Sequence, residues 1–356
     1  MATKTATTTN GQSNGQSKDT KQSDMPSAYF QGEQASVDGT KGMALFITPD
    51  KDLFAKPGAQ QDSWFLTSHL KSDRGTLDLL IHYLHVTPPD GGAGMVGIMA
   101  SLLDSQTQKY IAEEQDFPGD KCSLSADKFE IISPIASATG TPSSMTFKGK
   151  WPTAGIECNV TASQTGPLLA NNGAGLFPAL GGMTYHYALP TMSTTGTVSF
   201  GGKSYDINGP SWLDRQWGVT PRFFVKATKK WVWFSVSLDN GDRISFWEMI
   251  EADRKHTFAT LVHPNGAHEV AAVEPLVDNA SRPWKSAQTG NVYPTSWDVK
   301  IPQWDGHLTI TPKVLEQEFI SPSGAHKYEG ASPVTGTLHG KSVTGFAVIE
   351  LVGDWK

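Results

Sequence analysis

The feature that most constrains this chain is an internal repeat. A first half opens with Trp64-Phe65, reaches Leu70 and turns at Asp73-Arg74-Gly75. A second opens with Trp233-Phe234, reaches Leu238 and turns at Asp239-Asn240-Gly241. The halves also close alike. Thr195-Gly196-Thr197-Val198, Gly202-Lys203-Ser204 and Gly209 answer to Thr335-Gly336-Thr337-Leu338, Gly340-Lys341-Ser342 and Gly345. Asp214 then follows Gly209 at the same interval as Glu350 follows Gly345. Generic hairpin composition does not explain matches that keep this order. The expectation is a duplicated β unit, each copy ending in a strand with one carboxylate at the same place.

Strand signals dominate between these landmarks. In the first half they fall at 64–70, 76–86, 95–101, 129–135, 144–151, 155–162, 184–190, 194–200, 203–208 and 211–217. In the second they fall at 231–238, 243–250, 256–262, 269–276, 296–301, 307–312, 334–338 and 343–352. Helical periodicity is nearly absent; residues 107–114 are the one short helix expected. The 35 Gly and 22 Pro suit many strands joined by tight turns. The fold class is therefore all-β, two related antiparallel β-barrel-like halves, spanning 43–225 and 226–356. Residues 1–42, rich in Thr, Ser, Gln, Asn and Gly, read as a disordered tail. Residues 166–183 carry five Gly and read as a long loop of the kind that serves function.

Several partner classes drop out. The net charge is −6 and no basic cluster interleaves with aromatics, which argues against nucleic acid. No apolar run is long enough to span a membrane. The first 34 residues lack an apolar signal core, so a cytoplasmic location is expected. Cys122 and Cys158 could pair, but alone they make neither a disulfide framework nor a zinc site. Asn159 and Asn279 match glycosylation sequons, a weak signal without a leader.

The densest chemistry lies in Gly209-Pro-Ser-Trp-Leu-Asp-Arg-Gln-Trp-Gly218. Alternation puts Trp212, Asp214 and Gln216 on one face and Leu213, Arg215 and Trp217 on the other. A carboxyl group between Trp and Gln on an inward face is desolvated, and desolvation keeps an acid protonated nearer neutral pH. Such a group can protonate an alkene or a carbonyl. The alternative is a structural Asp214 that pairs with Arg215 or caps a turn. Further pocket candidates are His186, Tyr187, Glu248, Glu329 and Glu350, with Trp64 and Trp233 supplying flat aromatic faces. His186 sits between Tyr185 and Tyr187, and alternation turns both Tyr away from it. His82 and His85 face opposite sides of one strand. No nucleophile elbow, phosphate loop, dinucleotide fingerprint or metal-ligand spacing is present, so no cofactor and no metal are expected.

Several stretches together are similar to the AttH/carotenoid hydratase superfamily. They are Tyr185-His-Tyr-Ala-Leu-Pro, Gly196-Thr-Val, Gly209 to Gly218, Tyr293-Pro-Thr-Ser-Trp, His307-Leu-Thr-Ile-Thr-Pro, Tyr328-Glu-Gly and Gly345-Phe-Ala-Val-Ile-Glu-Leu-Val-Gly. The resemblance spans residues 60–355. It implies two lipocalin-like barrels and an apolar pocket in one barrel or between them. It also implies hydration of isolated double bonds in isoprenoids, with the Asp of the Trp-x-Asp segment, here Asp214, as proton donor. More distant relatives of this architecture include Diels–Alderases that use no cofactor. The chain departs from the pattern at Arg215-Gln216, where several relatives have His before Gln or Glu, and in lacking a secretion signal. The expected function is a cofactor-independent hydratase or cyclase for a hydrophobic isoprenoid or polyketide. The alternatives are a pericyclase that works by folding its substrate, and a lipocalin-like carrier of an apolar small molecule.

Overall fold

A computed structural model describes residues 47–88, 92–180, 182–219, 229–252 and 254–356. The expected tail, 1–42, lies outside them. The first sheet is built from β1 (Gln61–Ser72), β2 (Gly75–Val86), β3 (Met95–Asp104), β4 (Lys109–Pro118), β5 (Ser123–Leu124), β6 (Phe129–Ile132), β7 (Ala136–Thr141), β8 (Ser144–Trp151), β9 (Ile156–Gln164), β10 (Leu169–Ala170), β11 (Leu176–Ala179), β12 (Gly182–Phe200) and β13 (Lys203–Val219). The second holds β14 (Lys229–Leu238), β15 (Arg243–Glu251), β16 (Arg254–Val262), β17 (His268–Ala272), β18 (Ala280–Lys285), β19 (Val292–Ile301), β20 (Gly306–Ile310), β21 (Glu318–Phe319), β22 (Lys327–Leu338) and β23 (Lys341–Gly353). A single turn of helix, α1 (Pro49–Asp52), precedes β1. The first sheet runs β4-β3-β2-β1-β13-β12-β9-β8-β7-β6-β5, with β10 and β11 on β12. The second runs β17-β16-β15-β14-β23-β22-β20-β19-β18, with β21 on β22. Every pairing is antiparallel.

Each sheet curls around its own core. In the first, Trp151 Nε1 reaches across to the Ile98 carbonyl (3.3 Å) and the Tyr83 hydroxyl to the Ser137 carbonyl (3.0 Å). Trp64, Tyr83, Phe147, Trp151, Tyr187 and Trp217 fill that interior. Phe234, Phe246, Tyr293, Trp297 and Tyr328 fill the second. A third apolar layer lies between the sheets, from Phe65, Phe177, Trp212, Trp233, Trp247 and Phe258. Strand β1 is accordingly buried on both faces. One face lines its own core and the other meets the second half, as happens to strands covered on both sides.

The repeat is visible in the ladders. Phe65 sits opposite Asp214, and Trp233 sits opposite Glu350. A Cβ on Gly209 would overlap the His69 carbonyl oxygen, and one on Gly345 would overlap that of Ser237. Both glycines let two strands approach at corresponding points. This register shifts one sequence match by a residue. Trp233 corresponds to Phe65, and Trp64 corresponds to Val232. In a strand a shift of one residue exchanges the faces, so Trp64 points into its own core while Trp233 points out of its own.

Two further expectations change, and the open question of the two Cys is settled. Residues 109–118 form β4 instead of a helix spanning 107–114, because a full ladder with β3 overrides local preference. Segment 166–183 is not an open loop. It folds back as β10 and β11 on β12, and Leu169 and Phe177 pack between the sheets. Cys122 and Cys158 are both free thiols.

Arg215 explains the tie between the helical turn and the first core. Its guanidinium is fully buried, 2.5 Å from Asp62 Oδ1. It donates to the carbonyls of Asp52 (2.8 Å) and Phe54 (2.7 Å) and packs against the rings of Trp64 and Trp217. Removing one partner of such a buried, hydrogen-bonded pair costs about 3–5 kcal/mol, because the other charge is left uncompensated. Asp214 points to the opposite face, so it does not pair with Arg215.

Candidate active site

Between the sheets lies a cavity of about 290 Å³ with an apolar wall. It sits outside both barrel interiors, at the second of the two places the resemblance implied. The first half lines it with Ser63, Phe65, His82, His186, Asp214 and Gln216. The second lines it with Trp231, Trp233, Trp247, Lys327, Glu350 and Val352. These two sets correspond position by position through the ladders. Ser63 and Trp231 face Gln216 and Val352; Phe65 and Trp233 face Asp214 and Glu350; His82 and Trp247 face Phe65 and Trp233. His186 faces Gln216 as Lys327 faces Val352. The duplication has therefore placed two pairs of a basic side chain and a carboxyl group, His186–Asp214 and Lys327–Glu350, around one space.

The first pair is tightly held. His186 Nε2 is 2.6 Å from Asp214 Oδ1, and Trp212 Nε1 donates to Asp214 Oδ2 at 2.8 Å. Asp214 is 5 % exposed. Burial raises its pKa above the usual carboxylate value; the His186 ring and the two hydrogen bonds oppose this only in part. Each carboxyl oxygen has a second lone-pair site, so both can accept these bonds and still present a proton to the cavity.

The second pair belongs to a larger cluster. Lys327 Nζ lies 2.6 Å from Glu329 Oε1 and 3.4 Å from Glu350 Oε1. Burial disfavours its charge, but Glu329 and Glu350 outweigh that and hold its pKa above the usual lysine value. Trp231 Nε1 donates to Glu350 Oε2 at 2.9 Å, so each of the paired carboxylates accepts from an indole. Lys327 Nζ also faces His82 Nδ1 at 3.4 Å. An ammonium only donates, so His82 Nδ1 is the acceptor and Nε2–H donates to Ser63 Oγ at 2.8 Å. Burial, reinforced by Lys327, pushes the pKa of His82 well below its usual value and keeps the ring neutral. Phe65 joins the clusters, with its ring edge-on to His82 (5.0 Å) and to Trp233 (5.7 Å). Glu114 and Asp116 also line the cavity, and burial raises both of their pKa values.

The AttH-like family model matches residues 44–354. The chain belongs to the AttH-like family. Kievitone hydratase of Fusarium solani subsp. phaseoli is 28 % identical over 213 residues, 56 % of this chain and 58 % of that protein. Dehydratase asqC of Emericella nidulans is 26 % identical over 209 residues, 55 % of this chain and 58 % of that protein. The matched region thus spans little more than half the length of these curated relatives. The crystal structure of kievitone hydratase from Nectria haematococca shares the fold, with a TM-score of 0.75 and 22 % identity, covering 91 % of this chain and 98 % of that one.

Within this AttH-like fold the candidates read from sequence divide. Asp214, Gln216, His186, Trp233 and Glu350 converge on the cavity, and Trp212 touches it through Asp214. Trp64 does not reach it; its indole donates to the Leu53 carbonyl inside the first core. Tyr187 is likewise in that core, with its hydroxyl on the Pro49 carbonyl, because alternation turns it away from His186. Glu248 does not line the cavity either; it is buried, accepting the Val277 N–H. Glu329 also does not line it. It backs Lys327, and burial pushes its carboxyl up to about 8 against the opposing Lys327 charge. Lys327, Ser63, Phe65, Trp231, Trp247 and His82 are not among the candidates the sequence offers. The ladder register that equates Lys327 with His186 would have found it.

Proposed function

We propose that the chain is a hydro-lyase, adding water to or removing it from a hydrophobic isoprenoid or polyketide, with Asp214 as the acid. The observation that carries this reading is the buried Asp214, held by His186 and Trp212 at the wall of an apolar cavity. In the hydration direction, the Asp214 O–H bond breaks as a C–H bond forms at one alkene carbon. Positive charge develops on the neighbouring carbon, which the faces of Phe65, Trp233 and Trp247 favour. Water closes the new C–O bond and passes one proton to the Glu350 carboxylate. Glu350 releases that proton to solvent, and Asp214 regains one. Dehydration is the same path reversed, which fits relatives named for each direction. Lys327 and Trp231 orient Glu350, and Gln216, donating to Thr184 Oγ1 at 3.0 Å, shapes the wall beside Asp214.

Purified protein, with no cofactor added, should convert one component of an apolar metabolite extract into a product heavier or lighter by one water, read by mass spectrometry. A product of unchanged mass would point instead to a cyclase or pericyclase. A co-purified apolar ligand with no turnover would point to a carrier.

A further inference from the structure

At one end of the second barrel two imidazoles and a carboxylate converge. His263 follows β16, Glu269 lies in β17, and His339 occupies the turn between β22 and β23. His263 Nε2 is 2.7 Å from Glu269 Oε1, and His339 Nε2 is 3.6 Å from the same oxygen. All three donor atoms lie within 4.8 Å of one another. A tetrahedral zinc site with bonds of about 2.0–2.1 Å separates its ligand atoms by about 3.3 Å. The observed spacings bracket that value, and all three side chains are partly exposed and able to adjust.

The second feature is what stands behind His263. Its Nδ1 bonds Asp242 Oδ1 at 2.8 Å, and Asp242 is buried and held in turn by Asn240 Nδ2 at 2.8 Å. A carboxylate on Nδ1 holds the ring in place and keeps Nδ1 as a donor, so an ion could replace the proton between Nε2 and Glu269, which is how metal-ligating histidines are oriented. The location also matters. Strand β17 is an edge of its sheet. It meets the turn at 302–304 without a ladder, through Ala272 N–H to Gln303 Oε1 (3.0 Å), while Glu274 N–H reaches the Lys300 carbonyl (3.1 Å). His339 N–H donates to the Trp304 carbonyl on that same turn (2.8 Å). We propose that His263, Glu269 and His339 form a divalent-metal site of the class that takes zinc, with Asp242 orienting His263, and that the ion pins the seam of the second barrel. Sequence spacing hides it because His339 comes from a different hairpin than His263 and Glu269.

The test is titration of the full chain, stripped with EDTA, with zinc chloride by calorimetry, with the melting temperature measured alongside. One equivalent should bind and raise the melting temperature. His339→Asn keeps a residue suited to the left-handed backbone there (φ 50°), and it should weaken binding at least tenfold. Asp242→Asn should weaken it by about 10–100-fold. His307→Ala, which alters an exposed His–Asp pair elsewhere on the second sheet, should change nothing. Absence of zinc binding would overturn the proposal. So would His339→Asn binding as tightly as the unaltered chain, or His307→Ala weakening binding equally. Circular dichroism of each variant separates lost ligation from lost folding.

Discussion

Asp214→Asn should lower kcat by about 10²–10⁴-fold, the usual worth of a positioned general acid. KM should change little, because the amide keeps the size of the carboxyl group and can still accept the Trp212 N–H. The pH profile provides a second readout. The donating form of Asp214 is the protonated one, so kcat of the unaltered enzyme should fall as pH rises through its pKa. Burial has raised that pKa, so activity should persist to higher pH than an exposed Asp would allow. Trp212→Phe removes an N–H that stabilises the ionised form. It should therefore raise the pKa further and move the alkaline limb of the profile to higher pH. Full activity in Asp214→Asn would exclude the acid mechanism.

Glu350→Gln should lower hydration by a comparable factor, about 10²–10⁴-fold, through the loss of the group that takes a proton from water. The two variants should fail differently. Glu350→Gln retains the acid, so in D2O it should still exchange hydrogen at the protonated carbon of recovered substrate, and Asp214→Asn should not. Exchange in neither variant would mean that Glu350 is needed for protonation itself. Unchanged turnover in Glu350→Gln would remove it from the mechanism and leave it as a partner for Lys327.

The two carboxylates were legible in the sequence for a physical reason. The glycines preceding them are fixed by close strand approach, so Gly209 and Gly345 carry the register to Asp214 and Glu350. Period-two alternation likewise put Trp212, Asp214 and Gln216 on one face, and the structure keeps them there. It could not say that this face is outward from its own barrel and buried by the other half. That ambiguity accounts for Trp64 and Tyr187, aromatic residues of strands buried on both faces, where burial does not identify the side. It also accounts for Glu248, whose neighbour Trp247 is the residue that meets the cavity. Lys327 went unnoticed because a lysine in a strand ordinarily marks a solvated face. Only its position between Glu329, Glu350 and His82 shows it to be enclosed. Segment 166–183 reads as a loop through its glycines; Gly173 and Gly175 take positive φ in the reversal between β10 and β11, which both pair with β12.

On the proposed path Asp214 delivers a proton to carbon while water is added from the side of Glu350. The most direct test runs the reaction in D2O enriched in 18O and locates both labels in the product by mass spectrometry and NMR. One deuterium should appear on a single face of one former alkene carbon and one 18O on its neighbour, with neither label incorporated by Asp214→Asn. A product free of 18O, or one labelled equally by Asp214→Asn, would contradict it.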